Sequence, residues 1–333
     1  MPTYVIEHDT LYSYSSPVAV SRQLLHMSPR ATPWQRVLEH RITIEPHNHE
    51  RRERDDFYGN RVVDIAIVSA HRELRVRARS LLEVLPHAAN LQSVYAPAWE
   101  EVRAGFAAYR TQAALDAWAF ACESPYVPLH LPALARYADT SFTPGRPLLE
   151  AVADLNTRIH EEFAFDAEAT SVATPMEDVL RERRGVCQDF AHLMAGCLRA
   201  KGLPARYVSG YLLTTPPPGR PRLIGADASH AWVSVYCPQE NGALWIDFDP
   251  TNNCIPDTEH MVLGWGRDFY DVTPMRGVIL GGGEQSLSVH VTVVPEHEAE
   301  NLFRQRTERE SPGGGAPLAN THAGTQGNGN PAN

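Results

Sequence analysis

The spacing of apolar residues changes twice along this chain of 333 residues, and this change limits the possible folds more than any other feature. In the first hundred residues apolar and polar positions alternate; Leu74, Val76 and Ala78, for example, are separated by charged residues. This two-residue period is typical of a strand with one buried face. After residue 110 apolar residues recur at the three- and four-residue steps of an amphipathic helix, and after residue 205 alternation returns. The pattern predicts a β-rich region followed by a mixed core.

We therefore predict an α+β protein with three parts. Residues 1–105 form a β-sandwich-like domain, residues 106–298 form an α+β core, and residues 299–333 form a disordered tail. The tail is rich in Gly, Asn, Pro, Thr and Ala, so burial cannot offset the entropy lost on ordering it. The polar stretch 47–56 is predicted to be a loop between strands, and the Pro- and Gly-rich stretch 214–219 to be another.

Within the core, helical spacing predicts helices over residues 111–123 and 147–163. A third helix is predicted to begin with Thr174 as its N-cap, because Glu177 follows three residues later. Alternating segments predict core strands over residues 205–213, 230–237, 244–248 and 286–294.

The chain is acidic, with a formal charge of −10 at pH 7 and a pI near 5.8. This charge argues against binding to nucleic acid or to an anionic membrane surface. No segment approaches the ~18 consecutive apolar residues of a membrane span, and the first residues lack the basic and then apolar order of a secretory signal. We therefore expect a cytoplasmic protein whose five widely spaced cysteines stay reduced.

Cys187 is the residue whose position most favours chemistry. It follows Gly185, which breaks the preceding segment, and it leads a run of apolar residues at helical steps that ends at Gly202 and Pro204. At the N-terminus of a buried helix, unpaired N–H groups and the helix dipole favour a thiolate and can hold an oxyanion. Cys197, on the apolar face of the same helix, is predicted to be an inert core residue.

His230 and Asp249 are predicted to supply the proton partner of that thiolate and an orienting carboxylate. An alternating strand, an Asn-Gly turn signal and a returning strand indicate a hairpin. Its length places His230 opposite residue 251, so that Asp249 is a diagonal neighbour with its Cβ roughly 7–8 Å away. Asp247 lies too far along the strand. We predict Cys187 as nucleophile, His230 as base and Asp249 as the orienting group.

Residue spacing disfavours metal sites. Cys187, His192 and Cys197 are five residues apart, so they point in different directions around a helix and cannot converge on zinc. The segment Asp247-Phe-Asp-Pro-Thr-Asn resembles the start of a calcium loop but lacks its glycine and terminal glutamate. We expect no cofactor and no required metal, and we interpret His192 as a packing residue.

Three segments resemble the motif blocks of the bacterial transglutaminase-like superfamily: Gly185-Val-Cys-Gln-Asp-Phe-Ala-His-Leu, Ser229-His-Ala-Trp-Val and Trp245-Ile-Asp-Phe-Asp-Pro-Thr-Asn. The opening Tyr4-Val-Ile-Glu-His-Asp-Thr-Leu resembles the β-rich domain that often precedes this core, and Gly266-Arg-Asp-Phe-Tyr-Asp resembles its downstream segment. The resemblance extends over residues 1–295 and implies a papain-like α+β core. It assigns the nucleophile, base and third member to the same three residues as above.

The resemblance leaves the reaction open, because the superfamily includes cross-linking transferases, peptidases and deglycosylating amidases. We predict a thiol-dependent enzyme that acts on amide bonds of peptides or proteins through a Cys acyl-thioester, which is resolved by hydrolysis or by transfer to an amine. The alternative is a catalytically silent protein-binding module. We expect a peptide or protein substrate and no nucleic-acid or membrane partner; the sequence does not indicate an oligomeric state.

Overall fold

A computed structural model describes residues 1–108, 111–166, 174–214, 229–240 and 242–300 of the chain. The fold is α+β, as predicted, and its two compact units interleave along the sequence. The first unit contains the described residues of Met1–Leu85, Tyr211–Ser229 and Pro274–Asn333, and the second contains those of Pro86–Gly210 and His230–Thr273. None of the described helices is both long and apolar enough to cross a membrane.

The elements are numbered in chain order. The strands are β1 (Thr3–Leu25), β2 (Gln35–Glu45), β3 (Glu50–Asp55), β4 (Arg61–Ile67), β5 (His71–Val84), β6 (Ala164–Phe165), β7 (Arg184–Gly185), β8 (Ala205–Leu212), β9 (Ser229–Gln239), β10 (Gly242–Phe248), β11 (His260–Gly266), β12 (Met275–Gly281) and β13 (Gln285–Pro295). The α-helices are α1 (Trp99–Ala107), α2 (Gln112–Ala117), α3 (Pro132–Asp139), α4 (Leu148–Glu162), α5 (Met176–Glu182), α6 (Cys187–Ala200) and α7 (Phe269–Val272).

The first unit is built on one long strand, β1, which runs through a seven-stranded sheet. The N-terminal half of β1 lies between β5 and β13, and its C-terminal half lies between β4 and β12. A shift in register between Ser13 and Val18 separates the two halves. Buried apolar side chains of β1, β2, β4 and β5 share one cluster, which includes Val18, Leu25, Ile42, Val63, Leu74 and Val76, whereas Val5 near the start of β1 packs with Val294 in a smaller cluster. The curled sheet therefore buries its apolar side chains in more than one cluster, which gives the sandwich-like packing that the alternation predicts.

The prediction of a loop over residues 47–56 is wrong for most of its length, because β3 occupies six of these residues. All six side chains of β3 are exposed, and they are charged. Ion pairs join β3 to β4: Arg54 pairs with Asp64 at 3.0 Å, and Glu53 pairs with Arg61 at 3.1 Å. An edge strand that has no buried face carries no apolar alternation, so the hydrophobic pattern could not reveal it.

The strand predicted over residues 286–294 forms as β13, but it pairs with β1 in the first unit. β12 also pairs with β1 and was not predicted. The sequential domain boundaries at residues 105 and 298 stay predictions. Of the predicted disordered tail, residues 301–333 lie outside the described residues, and so do residues 215–219 of the predicted loop.

The second unit contains a four-stranded sheet in the order β10-β9-β8-β11, together with α6. In α6 every residue from Asp189 to Arg199 is buried. The apolar side chains of α6 share a cluster with those of α4 and of the sheet, including Leu155, Val233 and Phe248. A helix that is apolar almost all round is buried all round. Cys187, its first residue, lies at the margin of this packing and is half-buried.

The other helices follow the predictions in part. α4 confirms the helix over residues 147–163, whereas the helix predicted over residues 111–123 forms as α2 followed by a 3₁₀ turn, Trp118–Ala121. Pro175, and not Thr174, is the N-cap of α5. α1 and α3 were not predicted, because at nine and eight residues they give little more than two turns of periodic pattern.

Candidate active site

The start of α6 is fixed by an acidic side chain in its own first turn. Val186 is the N-cap, and its N–H donates to the Asp189 carboxylate over 2.8 Å. This is the reciprocal half of a capping box. Gly185 makes room for it, since a Cβ at this position would lie 2.7 Å from the Asp189 carboxylate oxygen. Asp189 therefore holds the turn that carries the Cys187 thiol, as well as complementing the helix dipole.

The hairpin of β9 and β10 has the predicted register, in which Phe248 pairs with Val233. His230 is the second residue of β9, and Asp249 follows directly after β10. The backbone of Asp249 forms a further bridge with Cys254. The diagonal placement of His230 and Asp249 that the register predicts is therefore present.

The His230 imidazole joins the other two predicted site residues. Its Nε2 lies 2.7 Å from Asp249 Oδ2, and the ring is also hydrogen-bonded to the Cys187 thiol. Because Nε2 faces the carboxylate, Nδ1 is the nitrogen left for the sulfur. Burial of the ring lowers its pKa, but the hydrogen bonds to Asp249 and Cys187 outweigh burial and raise the pKa of His230 to about 10.

The Asp249 carboxylate is fully buried and accepts five hydrogen bonds. Oδ1 accepts from the backbone N–H groups of Thr251 and Asn252, at 2.9 and 3.1 Å. Oδ2 accepts from His230 at 2.7 Å, from His260 at 3.0 Å and from the Asn252 side chain at 2.7 Å. Burial opposes ionisation, but these hydrogen bonds hold the pKa of Asp249 well below its usual range. Asp249 is thus a carboxylate at neutral pH.

Two family models match this chain. Residues 4–83 match the bacterial transglutaminase-like N-terminal region, and residues 135–250 match the core of the transglutaminase-like superfamily. The chain belongs to the transglutaminase-like superfamily. The matched core spans Cys187, His230 and Asp249.

One relative extends over most of the chain, and another matches less than a third of it. An uncharacterised protein of Mycobacterium tuberculosis is 42% identical over 299 residues, which cover 88% of this chain and 92% of the relative. A protein-glutamine gamma-glutamyltransferase of Pseudomonas aeruginosa is 36% identical over 101 residues, or 29% of this chain and 15% of that protein. The crystal structure of a candidate cysteine protease from Cytophaga hutchinsonii has a TM-score of 0.65 at 20% identity and covers 89% of this chain and 91% of that one. This structural likeness shows the fold alone.

His260 is the residue at this transglutaminase-like site that sequence reasoning missed. It is the first residue of β11, which pairs with β8 and not with the hairpin of His230. Its contact with Asp249 therefore depends on the pairing of strands that are distant in sequence. The signal that could have revealed it is a histidine at the start of a strand, the position that His230 also takes.

The loop that follows Asp249 is held against α4. Asn253 in this loop adopts a positive φ of 50°, a conformation that Asn tolerates better than most residues. Its side-chain oxygen accepts hydrogen bonds from Asn156 and Thr157 of α4, each at 3.0 Å. α4 therefore helps to position the third member of the site.

Three of the cysteines have thiols that are hard to ionise. All five cysteines are free. Burial raises the pKa of Cys197 to about 12, and it raises those of Cys237 and Cys254 to about 11. These three thiols are therefore protonated and weakly nucleophilic at neutral pH.

His192 packs inside the core, as interpreted from the sequence. Its Nε2 accepts the backbone N–H of Phe269 over 3.1 Å, which requires an unprotonated nitrogen. The ring lies near Tyr126 and Tyr207, at centroid distances of 5.5 and 4.8 Å. Burial lowers the pKa of His192 to about 3, so it is a neutral acceptor that ties α7 to α6.

Among the described residues, His230, Asp249 and His260 form the group that could hold a metal ion, with one ligand atom from each within 4.8 Å of the others. Both imidazole Nε2 atoms, however, lie within hydrogen-bond distance of the same carboxylate oxygen. Ligands about 2.0–2.1 Å from a tetrahedral zinc ion lie about 3.3 Å apart, and both Nε2–Oδ2 distances, 2.7 and 3.0 Å, are shorter than this. The geometry fits two N–H donors that share one acceptor better than a metal centre.

Proposed function

We propose that this protein is a thiol enzyme that acts on amide bonds of peptides or proteins through an acyl-thioester on Cys187. The observation that carries the proposal is the double engagement of His230, with the Asp249 carboxylate on one side and the Cys187 thiol on the other. With a pKa of about 10, His230 is a cation at neutral pH. A cation beside the sulfur and a helix N-terminus beneath it both favour the thiolate.

The proposed reaction has two steps. The Cys187 thiolate attacks the amide carbonyl carbon, and backbone N–H groups at the start of α6 bind the oxyanion. The C–N bond then breaks as His230 gives its proton to the departing amine, which leaves the acyl group on sulfur. In the second step water or an amine attacks the thioester, His230 takes the proton of the attacking group, and the C–S bond breaks to restore the thiolate.

The substrate class follows from this chemistry and from the relatives. The Pseudomonas aeruginosa protein, a protein-glutamine gamma-glutamyltransferase by name, supports a glutamine side-chain amide as one acyl donor. A backbone amide is the other acyl donor that attack by a thiolate allows. We therefore propose a peptide or protein amide as substrate, with hydrolysis or transfer as the outcome.

The location of the enzyme is a separate proposal. We place it in the cytoplasm, since a reducing compartment is where five free thiols persist. Fractionation of the source cells, with a cytoplasmic marker enzyme measured in parallel, tests this placement. Recovery of the protein with the periplasmic or secreted fraction would contradict it.

The function is tested by separating hydrolysis from transfer on one substrate set. A library of glutamine-containing peptides is incubated with the wild-type protein, with and without a tagged primary amine. Mass spectrometry then detects new peptide termini, deamidated glutamine or the tag, and ammonia is measured in the same samples. Hydrolysis releases ammonia or new termini, whereas transfer attaches the tag.

Two variants control this experiment. Cys187→Ser is expected to abolish every product, because the serine hydroxyl is not ionised beside His230. Cys122→Ser, which changes a partly exposed thiol elsewhere, is expected to keep wild-type activity. If the wild-type protein and Cys187→Ser give the same result on all peptides, the alternative of a silent protein-binding module is favoured.

A further inference from the structure

We propose that His260 is a positioning residue that holds the Asp249 carboxylate in the orientation that His230 needs. This inference rests on the proposed function, in which Asp249 orients the base. His260 is 5% exposed, and its Nε2 lies 3.0 Å from Asp249 Oδ2, the oxygen that His230 also uses.

The protonation of His260 Nε2 follows from its partner. An ionised carboxylate only accepts hydrogen bonds, so a nitrogen at 3.0 Å from it must carry a hydrogen. The same reasoning applies to His230 Nε2 at 2.7 Å. Two imidazoles thus donate to one oxygen from different directions, with their ring centroids 5.9 Å apart and the ring planes at 53°.

The two imidazoles share a common support, the indole of Trp232. The indole lies edge-on to His260 at a centroid distance of 5.3 Å, and it lies 6.1 Å from the ring of His230. The Trp232 Nε1–H donates to Asp247 over 3.0 Å, which fixes the rotation of the indole. Because Trp232 is fully buried, both histidines rest on a rigid surface.

The backbone of β8 leaves room for this support. Gly210 lies on β8, between the strands that carry the two histidines. A Cβ on Gly210 would lie 2.5 Å from the Trp232 ring and 2.2 Å from the Met261 carbonyl oxygen. Any larger residue would displace the indole or push away the start of β11, where His260 lies.

The two oxygens of the Asp249 carboxylate have different partners, and this explains why a second histidine is needed. The backbone N–H groups of Thr251 and Asn252 fix Oδ1, but the oxygen that contacts His230 is Oδ2. His260 and the Asn252 side chain are the groups that hold Oδ2 from the other sides. Loss of the His260 donor would let Oδ2 shift and would weaken the contact that keeps His230 protonated beside the sulfur.

The test measures how fast iodoacetamide alkylates Cys187 at pH 6 and at pH 10, because this needs no substrate. At pH 6 the rate depends on the imidazolium that holds the thiolate, whereas at pH 10 thiols ionise without help. His260→Phe keeps a ring but removes the donor, and His260→Gln keeps an N–H donor at similar reach. His130→Phe, at an exposed histidine, is the matched control.

For His260→Phe we expect the rate at pH 6 to fall about tenfold, as for loss of one hydrogen bond to a charged group, and the rate at pH 10 to stay within about twofold. His260→Gln is expected to stay within about threefold of wild type at both pH values, and the control should not change. An unchanged rate at pH 6 in His260→Phe, or an equal fall at both pH values, would overturn the proposal. The first result would show that His260 does not affect the reactivity of Cys187, and the second would show that its role is only structural.

Two further measurements test the tautomer of His260 and the possibility that it binds a metal ion. Selective ¹⁵N labelling of histidine in the wild-type protein should show a hydrogen on Nε2 of His260; a hydrogen on Nδ1 alone overturns the proposal even if the variants do not fold. Each rate is also measured with EDTA, and a fall of the wild-type rate to that of His260→Phe would make His260 a metal ligand instead. If wild-type Cys187 reacts no faster than Cys197 at pH 6, the proposed function itself fails.

Discussion

Asp249 is a charged residue whose side chain has no exposed surface, so its burial has to be compensated. Burying a carboxylate without partners is very costly, and the cost is offset only when hydrogen bonds satisfy its oxygens. The five donors around Asp249 do so, and they come from three different places: the loop after β10, β9 and β11. The carboxylate therefore stays ionised, and its hydrogen bond to His230 raises the pKa of that imidazole.

The first residue-scale prediction concerns that charge. Asp249→Asn keeps the shape of the side chain but removes the negative charge, so the His230 imidazolium loses its counter-ion. We expect kcat/KM for the amide substrate to fall about a hundredfold, or about 2.7 kcal/mol of transition-state stabilisation. Steady-state kinetics with the substrate found in the peptide library checks this. A variant with wild-type kcat/KM would mean that the carboxylate has no part in the reaction.

The second residue-scale prediction concerns pH and stability. The pKa of His230 is raised from 6.5 to about 10, so the folded protein binds this proton more tightly than the unfolded chain does. The resulting stabilisation is complete below pH 6.5 and is lost as the pH rises to about 10. The steepest loss that one proton allows is about 1.4 kcal/mol per pH unit.

Urea unfolding at several pH values compares the wild-type protein with His230→Gln, which cannot titrate. The difference in the free energy of unfolding between the two should shrink as the pH rises from 7 to 10. A difference that stays constant over this range would show that His230 does not carry a raised pKa in the folded protein.

At the scale of elements, the first turn of α6 decides where the thiol lies. In Gly185→Ala the new Cβ would crowd the Asp189 carboxylate and break its bond to the Val186 N–H. We expect a loss of about 1–2 kcal/mol in the free energy of unfolding, as for a lost helix cap, together with slower alkylation of Cys187. Urea unfolding and iodoacetamide labelling measure the two effects.

The matched control is Gly105→Ala, within α1, where an added Cβ meets nothing within 4 Å. Alanine in place of an exposed helical glycine should stabilise the protein by about 0.5–1 kcal/mol and leave the labelling of Cys187 unchanged. If both substitutions behave alike, the role given to Gly185 and Asp189 at the start of α6 is wrong.

The elements also show which parts of the fold and site could be predicted from sequence. The hairpin of β9 and β10 and the buried helix α6 were predictable, because their signals are local: alternation with a turn, and apolar residues all round. The hairpin register placed Asp249 next to His230, whereas the grouping of Cys187 with these two residues came from the resemblance to the superfamily. Their catalytic roles stay a proposal.

What could not be predicted depends on distant pairing or lacks an apolar pattern. His260 reaches Asp249 only because β11 pairs with β8. β3 is an exposed, charged edge strand, and in β12 only Met275 is buried. Local periodicity carries no information on such contacts, so the motif blocks led to the three predicted residues but not to the fourth.

At the scale of the whole molecule, the sheet of the first unit is closed by strands from the far end of the chain. Residues 4–14 of β1 pair with β13, and residues 18–25 pair with β12. A fragment of residues 1–105 lacks both partners and would expose one edge of a strand 23 residues long. Long unpaired edges promote aggregation.

We therefore predict that the 1–105 fragment aggregates or unfolds without cooperativity, whereas the full chain stays dispersed under the same conditions. Size-exclusion chromatography and urea unfolding followed by circular dichroism check this. A monomeric fragment with a sharp unfolding transition would show that the N-terminal region folds without β12 and β13, and it would support the sequential boundary at residue 105.

The central claim is that one imidazole, held by a buried carboxylate, makes Cys187 the reactive thiol of this protein. The most direct test is the alkylation rate of Cys187 at pH 6, measured by peptide mass spectrometry in the wild-type protein and in His230→Gln, with Cys197 as the internal reference. We predict that wild-type Cys187 reacts at least about a hundredfold faster than Cys197 and that His230→Gln loses most of this advantage. Equal rates for the two cysteines, or a wild-type rate in His230→Gln, would contradict the account.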